Sequence, residues 1–177
     1  MKNNKISVIN FIQFQIIWFL CVLYKNQLLL VSVVVFFSYL ALLYQQKMKH
    51  FSQEIRLILA CATIGYTVDT LLSLMHIFSF PETGSLYYFP PIWLGMIWLA
   101  FASTINASMR YFRLIHPVWQ AMLGGILGPA VYLFSVKYSG IVLPDPKIKN
   151  YLIWTLCWAF MFPLFFYLRK KIIKDNQ

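Results

Sequence analysis

Apolar residues recur along the chain in six blocks, Ile6–Tyr24, Leu28–Tyr44, Leu57–Phe80, Ile92–Met109, Val118–Val136 and Tyr151–Leu168, separated by short polar breaks. Each block approaches or exceeds the length a helix needs to cross a hydrocarbon core, about 20 residues. None alternates apolar with polar as a barrel strand must, and an open strand would leave backbone groups unpaired in lipid. The pattern predicts an all-α, polytopic membrane bundle of about six transmembrane helices. The breaks are too short to hold a core of their own. Residues 1–177 therefore read as a single membrane-embedded domain.

The first block follows Lys2 and Lys5, as a signal peptide would. It lacks a small-x-small cleavage site, and Trp18-Phe-Leu-Cys21 lacks the small residue a lipoprotein site needs before cysteine, so it is expected to remain as a span.

Composition agrees with this picture. Hydrophobic residues make up 60% of the chain and charged ones 11%, against roughly 25% charged in a soluble domain. A net charge of +10 would suggest nucleic acid in a soluble protein. Here Lys and Arg sit in the breaks and at the ends, so they read as topology signals and no nucleic-acid partner is expected. With the N-terminus inside, the inner set is Lys2, Lys5, Lys47, Lys49, Arg56, Arg110, Arg113, Arg169, Lys170, Lys171 and Lys174; the outer set is Lys25, Lys137, Lys147 and Lys149. Eleven against four favours both termini in the cytoplasm. Cys21, Cys61 and Cys157 lie in three different blocks without pairing motifs, which fits buried apolar residues better than disulfides or metal ligands.

Candidate chemistry centres on Asp69, the one acidic residue inside a predicted span. A carboxylate at mid-bilayer costs about 2.5–3.5 kcal/mol on insertion scales, which marks it as a functional candidate. Tyr66, Asp69, Ser73 and His76 follow at steps of 3, 4 and 3, one helix face. Asp69 is thus the first catalytic candidate, as acid or base, and His76 a second. Ser103, Asn106 and Arg110 form a facing stripe on the next block. An antiparallel hairpin would bring Ser103 to the depth of Asp69, so Tyr66, Ser73, Ser103 and Asn106 are binding candidates. The competing reading is interhelical glue, with Asp69 paired to Ser103 or Asn106. Asn10, Gln13 and Gln15 add polarity to the first block, where lipid exposure would be costly.

Gly124, Gly125, Gly128 and Pro129 thin the fifth block. Close packing of small-xxx-small type is favoured there over a broken helix lining a transport path. Pro163 reads as an ordinary kink. Tyr87, Tyr88 and Phe89, then Pro90, Pro91, Trp93 and Trp98, read as an interfacial aromatic belt that could also roof a pocket. Arg169, Lys170, Lys171 and Lys174 read as a stop-transfer anchor attracting anionic lipid. There is no P-loop, dinucleotide fingerprint, His-Glu-x-x-His or Gly-x-Ser-x-Gly, and no cofactor is expected.

Gly65-Tyr-Thr-Val-Asp69, Pro91-Ile-Trp93-Leu-Gly-Met-Ile-Trp98 and Gly124-Gly-Ile-Leu-Gly-Pro129-Ala-Val-Tyr132, together with Asn10, Phe14, Gln15 and Trp18, resemble a family of small proteobacterial inner-membrane proteins known only as a domain of unknown function, family 2878. The resemblance implies an inner-membrane location and no established activity. It maps the family's Asp to Asp69, its Trp to Trp93, a binding candidate, and its Gly-Pro pair to Gly128 and Pro129. His76 stands where that pattern expects an apolar residue or glycine. Such proteins look as though they are encoded beside enzymes that modify fatty-acyl chains, which implies membrane lipids as partners and a lipid-modifying enzyme as a second one. The expectation is a pocket for a lipid or other apolar molecule around Asp69. A small proton-linked transporter component and a scaffold for a membrane enzyme are the alternatives.

Overall fold

The computed structural model describes residues 2–45, 50–81 and 89–174. Six α-helices run through them: α1 Lys2–Tyr24, α2 Leu29–Gln45, α3 Phe51–Leu74, α4 Ile92–Thr104, α5 Pro117–Ser139 and α6 Lys147–Ile172. The only strand-like pairing among the described residues is the bridge between Ser79 and Val142, closed by hydrogen bonds of 3.0 and 3.1 Å. Tyr87 and Tyr88 of the expected aromatic belt, and Lys47 and Lys49 of the charge count, lie outside the described residues.

The surface is apolar and the interior partly polar. Leu30 is 75% exposed and Phe160 73%, with Ile92, Ile148 and Leu156 close behind, while Asn10, Glu54, Asp69, Ser73 and Ser103 are buried. Water does not tolerate that distribution over a whole surface, whereas lipid does. Four stretches are long and apolar enough to cross a membrane: Asn4–Gln45, Phe51–Leu74, Pro117–Ser139 and Lys147–Ile172.

The first of these is 42 residues long, about 60 Å if straight and roughly twice the hydrocarbon thickness. It folds back instead. Lys25 adopts a left-handed φ of 52°, a 3-10 turn covers Lys25–Leu28, and Cys21 Sγ on α1 approaches Ser32 Oγ on α2 at 3.6 Å.

Two helices depart from the sequence expectation. The third was expected over 57–80 and occupies Phe51–Leu74, six residues earlier. At its start the helix continues through Ser52-Gln-Glu-Ile-Arg56, because Glu54 has partners inside the bundle. At its end, His76 takes a φ of 59°, with its N–H on Ser73 O and that of Ile77 on Leu72 O. This is the paired closure of a helix C-terminus, usually made by glycine. The fourth was expected over 92–109 but stops at Thr104. At 13 residues, α4 is about 20 Å long and cannot cross the core alone.

The segment after α4 turns through residues 105–109 into a 3-10 helix at Arg110–Leu114. Its freed backbone groups find partners on α1: Ser7 Oγ donates to Ala107 O at 3.1 Å, Asn10 Nδ2 donates to Ser103 O at 3.3 Å, and Ser108 N–H donates to Asn10 Oδ1 at 3.3 Å. Non-helical backbone is tolerated at membrane depth when protein surrounds it in this way.

Helix α4 is the hub. It packs on α3 and α1, and its Trp98 and Phe101 rings reach Trp158 and Phe165 of α6. Glycines admit these large rings. The Trp98 indole occupies the place of a Cβ at Gly65, and the Trp158 indole does so at Gly128. Helix α5 lies along α6 through Gly124, Gly125 and Gly128, the close packing expected of that stripe.

Gly65→Ala and Gly128→Ala each force an indole to move and are expected to lower stability by about 1–3 kcal/mol. Gly95→Ala meets only the Tyr66 ring at 3.6 Å, an ordinary contact, and is expected to be near neutral. Thermal unfolding of the three purified variants in one detergent checks the contrast.

Candidate functional site

Asp69 occupies position 19 of the 24 residues of α3, about 10 Å beyond the helix midpoint by helical rise. It is completely buried, at 0% exposure. One carboxyl oxygen accepts from Trp98 Nε1 of α4 at 2.7 Å, and the other accepts a short hydrogen bond from the Tyr132 hydroxyl of α5. The carboxyl thus joins three helices. Hydrogen bonds to a carboxylate are among the stronger ones a protein makes, about 1.5–3 kcal/mol each.

Around this contact the aromatic rings form a wall. Trp98 stacks on Trp158 with centroids 5.4 Å apart and planes at 14°, and Tyr132 lies 4.7 Å from Trp154 and 6.1 Å from Phe78. In front of the wall is a cavity of about 430 Å³ between α1, α4, α5 and α6, lined by Phe14, Trp18, Ile97, Trp98, Val131 and Tyr132 among others. Its size is that of a small-molecule site, and its lining is almost wholly apolar. Asp69 is not part of the lining. It stands behind the wall and holds two of its rings by their polar edges.

That placement revises the arrangement expected from the stripes. Asp69 pairs with neither Ser103 nor Asn106. Ser103 instead accepts from Asn10 Nδ2 at 3.0 Å and donates to Ala100 O. The six-residue displacement of α3 explains the difference. With Gly65 level with Trp98 and Glu54 level with Asn106, Ser103 falls opposite a turn of α3 below Gly65 and short of Asp69. Tyr66 donates to Pro90 O at 2.6 Å and fixes the approach to α4. Ser73 donates to Phe78 O at 3.2 Å and secures the chain beyond α3. Trp93 is buried and lines the cavity beside Phe80. His76 is exposed past the end of α3, so it does not share a helix face with Asp69.

A second polar centre lies at the opposite end of α3. Glu54 is buried and accepts from Asn106 Nδ2 at 2.7 Å, while Asn106 Oδ1 accepts from Arg169 Nε at 2.8 Å. The carboxylate and the guanidinium fix the orientation of the bridging amide, since each can bond only one of its ends. Two expectations change here. Glu54 joins Asp69 as an acidic residue within a long apolar helix, and Arg169 is a buried partner of this network rather than one more exposed member of the terminal basic cluster. The buried amide of Gln13 has no partner among the described residues. No group of three His, Cys, Asp or Glu among the described residues is placed to hold a metal ion.

A family model described as "Protein of unknown function (DUF2878)" matches residues 7–164. The chain belongs to this family. The match runs from within α1 to within α6 and includes Glu54, Asp69, Trp98 and Tyr132. No curated protein matches the chain, and no solved structure does.

Sequence reasoning passed over Glu54, Tyr132, Trp158 and Arg169 as site residues, and placed Trp98 at the membrane interface. A signal for Glu54 was present. Stepping back from Asp69 by 4, 4, 3 and 4 gives Gly65, Cys61, Ile58 and Glu54, and all of these are buried on one face. Nothing comparable marks Tyr132 or Trp158, whose roles come from the meeting of three helices.

Tyr132→Phe leaves one Asp69 oxygen short of a donor and is expected to lose about 1–3 kcal/mol. Asp69→Asn and Tyr132→Phe are expected to be non-additive by about 1 kcal/mol or more in a double-mutant cycle of detergent unfolding. Arg169→Met strips a buried acid of its counter-charge and is expected to cost about 3–5 kcal/mol, with Glu54→Gln in the same chain restoring part of it.

Proposed function

We propose that this protein is a six-crossing component of a bacterial inner membrane, with both termini cytoplasmic, that holds an apolar molecule drawn from the bilayer in the cavity walled by Trp98 and Tyr132. The supporting observation is the cavity itself. It is roughly 430 Å³ of almost wholly apolar space beside the rings set against Gly65 and Gly128. Tight packing is the rule in protein interiors, so an apolar recess of this size offers an apolar occupant contacts that the chain itself does not fill.

In this reading α4 completes its crossing through the segment leading to Arg110–Leu114, supported by Ser7 and Asn10 of α1. Asp69 touches no ligand and acts as a positioning residue. By engaging Trp98 Nε1 and the Tyr132 hydroxyl it keeps both polar groups away from the cavity and presents ring faces to it. Trp98 and Tyr132 thereby offer the ligand ring faces in place of donors that would favour a polar guest.

Lipid retained through detergent exchange and extracted from the purified protein tests the reading. About one molecule per chain is expected for wild type, and Ile97→Phe with Ala130→Phe, which fill the cavity from floor and rim, are expected to abolish retention while thermal stability holds or rises. A wild-type protein that carries none, or filled variants that carry as much, would sink the proposal. Reporter fusions after Gln45, Leu114 and Lys174 are expected to report all three positions as cytoplasmic.

A further inference from the structure

The cavity is open on one side, and the open side identifies what enters. Between α1 and α5 the rings of Trp18 and Phe19 meet that of Phe134, near the far end of α5. Below that pair, Leu127 is 53% exposed and Val131 42%, yet both also line the cavity. A residue that faces both the cavity and the surroundings marks a rim. The surroundings at this depth are hydrocarbon, so the cleft between α1 and α5 opens sideways into the bilayer. From Gly124 to Ser135 the lining follows α5 for about 16 Å by helical rise, which makes the space long as well as apolar.

The two ends differ. At the far end, Phe80 and Ile141 line the cavity, and each adjoins a residue of the Ser79–Val142 bridge. At the near end the lining residues are Met109 and Phe112, in the segment that also carries Arg110 and Arg113. Apolar and basic residues thus alternate where the cavity reaches the membrane surface. Among its contacts, Arg110 Nη2 donates to Asn4 Oδ1 at 2.6 Å and to the Tyr111 hydroxyl at 2.9 Å. Tyr111, His116 and Trp119 are exposed in the same stretch of chain, a composition suited to the headgroup layer.

We propose that the occupant is an anionic glycerophospholipid, with one acyl chain threaded through the α1–α5 cleft toward Phe80 and Ile141 and its phosphate held at Arg110 and Arg113. This rests on the apolar-ligand reading above and adds to it the class of molecule, its direction and its access route. Arginine suits a phosphodiester because its planar fork can offer two parallel donors, and basic groups at a membrane surface concentrate anionic lipid. A free fatty acid or a neutral lipid would use the same cavity without needing both arginines.

Native mass spectrometry of the full chain, incubated in detergent with equimolar phosphatidylglycerol and phosphatidylcholine of identical acyl chains, tests the assignment. A single adduct is expected, with phosphatidylglycerol favoured at least about fivefold. In the Arg110→Gln/Arg113→Gln double variant the adduct is expected to persist with the preference gone, and Arg110→Lys/Arg113→Lys is expected to recover much of it. An adduct without headgroup preference in wild type, or a preference that survives removal of both arginines, would overturn this assignment and leave the apolar pocket standing. Absence of any adduct from wild type would overturn the pocket as well.

Discussion

In hydrocarbon a backbone or side-chain polar group has no solvent to turn to, so leaving one without a partner within the chain is costly. This one constraint organises the structure. Where the helices are long it is met by their own ladders. Where they are not, side chains from α1 supply what the backbone lacks: Asn10 both donates to Ser103 O and accepts from Ser108 N–H, and Ser7 caps Ala107 O. The buried acids obey the same rule, Asp69 through Trp98 and Tyr132, Glu54 through Asn106 and onward to Arg169. A bundle apolar on the outside and hydrogen-bonded within is the result.

Aromatic residues fill most of what remains, and glycine decides where they go. Gly65 and Gly128 accept the indoles of Trp98 and Trp158, which then stack on each other at the centre of the bundle. Large flat groups set into the surface of a neighbouring helix leave little free volume, so the open space beside Trp98 and Tyr132 stands out. The carboxyl behind the wall and the glycines beneath it serve one geometry, a rigid apolar surface facing an accessible gap.

Much of the architecture was legible in the sequence because it follows from solvent. The helical class and the glycine-stripe packing of α5 on α6 depend on patterns local to each segment. That Asp69 would be buried was also legible, since an acid in an apolar run must turn inward. Its partners were not. The apolar run around Asp69 extends to Phe80, and hydropathy cannot see that His76 turns the backbone at Leu74, so the register between α3 and α4 slipped and Ser103 was matched to the wrong turn. Glu54 and Arg169 were hidden by the opposite error: both carry charge at the ends of apolar runs, where exposure is the ordinary expectation, and only their mutual reach through Asn106 draws them inside.

The dependence of α4 on α1 also bears on how the molecule is assembled. Helix α4 is too short to satisfy the bilayer by itself, and the groups that complete it, Ser7 and Asn10, lie about a hundred residues earlier in the chain. The end of α4 therefore leans on contacts of long sequence separation, and a change at Ser7 or Asn10 is felt in the middle of the chain.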